Sequence, residues 1–290
     1  MTRYAVEFGG TTFVLAGGGS HGAVQVGMLQ ALTAAGVQAD AVVGTSVGAI
    51  NGAFYAADPT VGGVARMAAI WQGLAADGLY PSLPLAFFRA LIRREAHLVN
   101  PSRLRNLLMA QLPAREFRAM VLPLAVIAAD LRDGSVVVLR EGNAIDAVLA
   151  SAAVPGLFPP VQLGGRTLVD GALAKNAALS SAVTLGAARL IVLPTGFGCA
   201  SPIEAQSVVG QAVRIISILL ARQLAYEAEQ FADRLPVHVV PPLCPLNVSS
   251  YDFSHSMRLI DAARDSTAQW IAEGGLESSV VPATLAPHHH

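Results

Sequence analysis

The sequence predicts an α/β protein: a three-layer sandwich with a mainly parallel central sheet covered by helices on both faces. Three observations carry this. Short apolar runs alternate with longer segments of helical spacing, as strands buried on both faces do when helical crossovers join them. The first of these runs leads directly into a cluster of glycines, as a tight strand-to-helix turn requires. Finally, 53% of the 290 residues are hydrophobic and only 13% are charged, which supplies a large core.

In chain order, Thr11 to Ala16 reads as a buried strand that ends in glycines. Ala23 to Ala35 carries Val24, Met28, Leu29 and Leu32 at helical spacing and stops at Gly36, a residue suited to a helix end. Ala41 to Val43 is a second buried strand, and Val47 to Ala57 a second helix. Leu122 to Ala128 is a strand, and Asp133-Gly134 turns the chain back into Val136 to Leu139. Thr167 to Val169, Ala187 to Leu193 and Pro236 to Val240 are further strands. Long helices fill Val208 to Phe231 and Ser254 to Ile271. No internal repeat or linker divides the chain, so residues 1–285 are expected to form a single domain. The remaining 286–290 are a tail whose terminal histidines read as the remnant of a purification tag.

Composition excludes several classes. Disorder needs high charge and low hydrophobicity, the reverse of this chain. A net charge of −1 leaves no basic excess for a nucleic-acid partner. Mean hydropathy is high at +0.51, yet the longest stretch without a formal charge, Phe8 to Ala39, is broken by the block Gly17 to Gly22. The N-terminus lacks the charged region, apolar run and cleavage site of a signal peptide. A cytoplasmic location, with peripheral membrane contact, is therefore expected. Cys199 and Cys244 have no metal-ligand spacing and are expected to be free buried thiols, with a lone disulfide as the alternative.

Two segments carry chemistry. Gly17, Gly18, Gly19, Ser20, His21 and Gly22 join a strand to a helix. Such a loop exposes backbone N–H groups beside a helix N-terminus, and it can hold a phosphate or a developing oxyanion. A nucleoside-triphosphate loop is excluded because no Gly-Lys-Ser/Thr follows. The dinucleotide fingerprint also fits poorly, since Asp40 precedes the second strand instead of ending it. The second segment is Gly44, Thr45, Ser46, Val47 and Gly48. A G-x-S-x-G turn between strand and helix exposes its serine as a nucleophile. Both loops follow parallel strands, so both should end at one edge of the sheet.

A serine nucleophile needs a base. His238 and His255 would complete a triad with Asp170, but the first lies within a strand pattern and the second opens a helix. The other route is a Ser–Asp dyad, because Val169-Asp170-Gly171-Ala172 places an acid at the end of an apolar strand. The three blocks Gly17–Gly22, Gly44–Gly48 and Asp170–Ala172, with the segment Ala150 to Pro160, resemble the patatin-like phospholipase family over residues 11 to 195. The resemblance implies the patatin-like fold and a serine acyl hydrolase of phospholipase A, lysophospholipase or esterase type. It assigns Ser46 as nucleophile, Asp170 as general base and the glycine loop as oxyanion hole. The substrate would be a phospholipid or other acyl ester, with no cofactor and no metal. A catalytically silent lipid-binding or regulatory protein on the same fold is the alternative. One departure from the family pattern is His21, where an arginine or lysine is usual.

Two apolar segments lie outside these motifs. Leu79 to Phe88, followed by Arg89, Arg93 and Arg94, suits a basic amphipathic helix that caps an acyl pocket or lies on a membrane, or an ordinary surface helix. Val208 to Ala225 reads as a core helix, with a channel wall or a dimer face as alternatives.

Overall fold

The computed structural model describes residues 8–77, 100–174, 178–196, 208–246, 248–249, 252–279, 281–282 and 285, and the side chains of 208–217 are excluded. The segment around Phe87 and Phe88, Lys175 and Cys199 lie outside the described residues.

Eight strands form one mixed sheet: β1 (Thr11–Leu15), β2 (Ala41–Thr45), β3 (Leu124–Asp130), β4 (Val136–Leu139), β5 (Val161–Leu163), β6 (Arg166–Asp170), β7 (Arg189–Leu193) and β8 (Val237–Val239). Their order is β5-β6-β3-β2-β1-β7-β8, with β4 also paired to β3. The pairs linking β3, β2, β1, β7 and β8 are parallel, and those of β3 with β4, β3 with β6 and β5 with β6 are antiparallel.

The helices are α1 (Gly22–Ala34), α2 (Val47–Ala57), α3 (Val61–Asp77), α4 (Ser102–Gln111), α5 (Ala144–Ser151), α6 (Ala178–Thr184), α7 (Val208–Ala232) and α8 (Ser256–Ala272). Strand alternation divides the core between two faces. Phe13, Leu15, Val42 and Ile191 pack with side chains from α1, α2, α3, α5 and α8. Val14, Val43, Ile127 and Val192 point the other way, onto α6 and α7. This is the expected three-layer architecture. Among the described residues no helix is long and apolar enough to cross a membrane.

Pairing along β3 brings two distant parts of the chain together. β2 runs parallel to β3 and ends at the pair Thr45–Ile127. β6 runs antiparallel and ends at the pair Asp170–Ala128, one residue further along β3. β4 pairs with Val126 to Ala129 and so overlaps both sets of partners. A strand has only two edges, so β2 and β6 share one edge and meet end to end. Residues 46 and 170 are placed at that meeting point.

Elements with a clear period lie close to their expected positions. β3 begins two residues later than expected and extends to Asp130. α3, α4, α5, α6 and β5 were not legible in the sequence: α4 fully buries just Leu104 and Leu108, and β5 is three residues long. One expectation fails. Cys244 is disulfide-bonded; it lies half-buried in the loop after β8 and not within the core, and spacing along the chain does not report which sulfurs meet in space. Among its described side chains, α7 buries Ala221, Leu224, Ala228 and Phe231 in the core and leaves Leu219 and Tyr226 exposed.

Candidate active site

The turn after β2 is set by sterics. Ser46 has φ 56° and ψ −124°, and it is the one described non-glycine residue at positive φ. Such a conformation costs on the order of 1–3 kcal/mol and persists only where surroundings hold it. Those surroundings require glycine. A Cβ on Gly48 would lie 2.1 Å from the Leu15 carbonyl oxygen, and one on Gly44 would lie 2.5 Å from that of Gly48. Helix α2 therefore presses directly on β1 and β2, with Ser46 at its N-cap.

Asp170 ends β6 and is 3% exposed, while Ser46 is 8% exposed. Asp170 Oδ1 accepts a hydrogen bond from the Ala172 amide at 2.8 Å. Oδ2 is buried with no hydrogen-bond partner. Burial pushes the Asp170 carboxyl up to about 6, while the nearby Ser46 hydroxyl and the Ala172 amide pull the other way. No hydrogen bond of normal length joins the Ser46 and Asp170 side chains. In substrate-free sites such contacts are commonly long and tighten on binding.

The glycine loop is held from outside. Gln25 Nε2 donates to Ala16 O at 2.8 Å and Leu193 O at 2.9 Å. Thr195 Oγ1 donates to Gly17 O at 2.6 Å. Asn51 Nδ2 donates to Gly22 O and to Gln25 Oε1, each at 2.9 Å, and Trp71 Nε1 donates to Asn51 Oδ1 at 3.0 Å. The loop's carbonyls are thus turned into the protein. No hydrogen bond among the described residues takes the amides of Gly18 and Gly19, and both residues line the same cavity as Ser46 and Asp170. Gly18 (φ 155°) and Gly19 (φ 60°) adopt conformations suited to glycine.

Ser20 and His21 do not line that cavity. Ser20 Oγ donates to Ser249 O at 3.0 Å, and His21 Nε2 lies 2.8 Å from Val248 O. Both fasten the loop to the segment before α8. His238 bonds Ser278 O through Nδ1, and the half-exposed His255 lies 3.6 Å from Asp252. Neither histidine reaches the cavity. Gln25, Asn51, Trp71 and Thr195 escaped sequence reasoning, although a glutamine and an asparagine inside otherwise apolar helix patterns were a legible signal.

The cavity has a volume of about 220 Å³ and is walled mainly by apolar side chains, among them Ile50, Phe54, Met67, Leu107, Leu157 and Leu220. Its polar groups are concentrated at Gly18, Gly19, Ser46 and Asp170. Among the described residues no cluster of three or more His, Cys, Asp or Glu could hold a metal.

Residues 13–183 match the model of the family described as patatin-like phospholipase. The chain belongs to that family. Relatives include an NTE family protein of Mycobacterium bovis, 34% identical over 201 residues, which are 66% of this chain and 32% of that protein. Patatin-like phospholipase domain-containing protein 6 of Homo sapiens is 28% identical over 68% of this chain and 14% of its own length. A lysophospholipase of Emericella nidulans is 30% identical over 63% of this chain and 12% of its own. The match therefore spans a third or less of each relative. Among solved structures, VipD from Legionella pneumophila covers 91% of this chain and 67% of its own, with 13% identity and a TM-score of 0.45.

Proposed function

We propose that this patatin-like chain is a carboxylic ester hydrolase that cleaves lipid acyl esters with a Ser46–Asp170 dyad. The observation that carries this reading is that one apolar cavity is lined by Ser46, by Asp170, whose Oδ2 has no hydrogen-bond partner, and by Gly18 and Gly19. An acyl chain fits such walls, since burying apolar surface contributes about 25 cal/mol per Å².

The chemistry follows from placement. Asp170 takes the hydroxyl proton of Ser46 as Oγ bonds to the ester carbonyl carbon. The carbonyl oxygen becomes an oxyanion and receives the Gly18 and Gly19 amides, a kind of contact that contributes roughly 2.7–4 kcal/mol per donor. The alkoxide leaves with the proton from Asp170, and the acyl group remains on Ser46. Water then gives a proton to Asp170 and attacks the acyl carbon. Collapse releases the fatty acid, and the proton returns to Ser46 Oγ. An aspartate is a weak base in water, and burial that lifts Asp170 to about 6 brings it closer to working pH.

Ser46→Ala tests the reading. It should remove turnover of p-nitrophenyl esters and labelling by a fluorophosphonate, with the circular dichroism spectrum unchanged. Turnover by the variant near the wild-type rate would exclude Ser46 as nucleophile. A wild-type protein that neither labels nor hydrolyses any acyl ester would favour the silent lipid-binding alternative.

A further inference from the structure

Ser151 occupies an unusual place in the sheet. Val42 N–H donates to Pro123 O at 2.9 Å on the β2–β3 edge. In a parallel ladder the rungs repeat every second residue, so after the rung of Gly44 with Ala125 the register would bring Ser46 N–H to Ile127 O. It does not. Ser46 N–H donates to Ser151 Oγ at 2.8 Å, and that hydroxyl donates to Ile127 O at 2.6 Å. The side chain is an inserted rung, and Ser151 is fully buried. Two residues on, Ala153 O accepts the Asp170 N–H at 3.0 Å. The end of α5 thus holds the backbones of both residues at the meeting point of β2 and β6.

We infer that Ser151 is a positioning residue, whose inserted hydroxyl holds the Ser46 backbone away from β3 and aims its side chain at Asp170. This rests on the Ser46–Asp170 reading. Without the hydroxyl, Ser46 N–H and Ile127 O can close on each other directly. That would complete a regular rung and preserve the fold, but turn the nucleophile away from its base. Ser151 touches neither substrate nor the reacting oxygen. Its loss should therefore appear in kcat and leave KM alone.

The test compares Ser151→Ala, Ser151→Cys and Ser151→Thr on a p-nitrophenyl ester, with Ser46→Ala alongside and rates expressed per folded molecule. Cysteine fills the site but hydrogen-bonds poorly, and threonine keeps the hydroxyl. Ala and Cys variants should lose at least about 30-fold in kcat with KM within about twofold, and fluorophosphonate labelling should slow in parallel. Threonine should restore most of the rate. A folded Ala or Cys variant with kcat within threefold of wild type overturns the role of Ser151 alone. An active Ser46→Ala overturns the dyad, and the role of Ser151 with it. Failure of both hydroxyl-free variants to fold would assign Ser151 to stability and overturn the proposal too.

Discussion

The proposed dyad places two opposed demands on Asp170. Burial raises its pKa from 3.8 to about 6, so the folded protein holds its proton over a range where the unfolded chain has released it. Stability contributed this way is fully present below pH ~4 and is lost as the pH rises towards 6. At roughly 1.4 kcal/mol per pH unit, the loss is about 3 kcal/mol at neutral pH. Asp170→Asn keeps the acceptor for the Ala172 amide and removes the buried charge. Chemical unfolding at pH 8 should find the variant more stable by up to about 3 kcal/mol, with the gain shrinking as the pH falls towards 4. Under the proposed dyad activity should run the other way, because only the ionised form accepts a proton. Wild-type kcat/KM should rise with pH through an acid limb centred near 6, while the Asn variant should be inactive throughout. An equal stability difference at pH 4 and pH 8 would show that charge burial is not its cause. His21 contributes differently. Its Nε2 faces a carbonyl, a bond that a neutral imidazole can donate, so the tether does not need a cation.

At the scale of elements, glycine decides how closely helices approach the sheet and each other. A Cβ on Gly48 would meet the backbone oxygen of Leu15 at 2.1 Å, and one on Gly27 would meet that of Ile260 at 2.1 Å. Neither neighbour is the mobile end of a side chain, so each alanine substitution must move whole elements, at a cost of about 1–3 kcal/mol. The two sites differ in what they displace. Gly27 separates α1 from α8, away from the cavity. Gly48 sets α2 and the turn of Ser46. Both Gly27→Ala and Gly48→Ala should lower the urea midpoint, but only Gly48→Ala should also reduce kcat per folded molecule, by at least tenfold. Full specific activity in folded Gly48→Ala would show that the elbow tolerates displacement of α2.

Across the whole molecule, the site depends on regions beyond the matched family segment. Thr195, which orients Gly17, and Val248 and Ser249, which hold His21 and Ser20, all follow residue 183. The cavity likewise draws its walls from positions between Gly18 and Phe253. Leu107, on α4, belongs to its apolar wall. Leu107→Trp should reduce turnover of long-chain p-nitrophenyl esters at least tenfold more than that of the butyrate, because short chains need little of the wall. A uniform loss across chain lengths would place the acyl chain elsewhere.

Local sequence was enough for the α/β class, for most strands and for the two glycine-rich turns that follow β1 and β2. Runs such as Val42-Val43 and turns such as Gly44–Gly48 report on backbone conformation within a few residues of themselves. The pairing of Ser46 with Asp170 was legible only through resemblance to known motifs, since no local pattern shows that β2 and β6 end on one edge of β3. The inserted hydroxyl of Ser151, the buried bonds of Gln25, Asn51 and Thr195, and the apolar cavity were settled by the tertiary structure. A polar side chain's role there depends on which distant backbone group it meets inside a dry core, where an unmet partner costs about 1–3 kcal/mol.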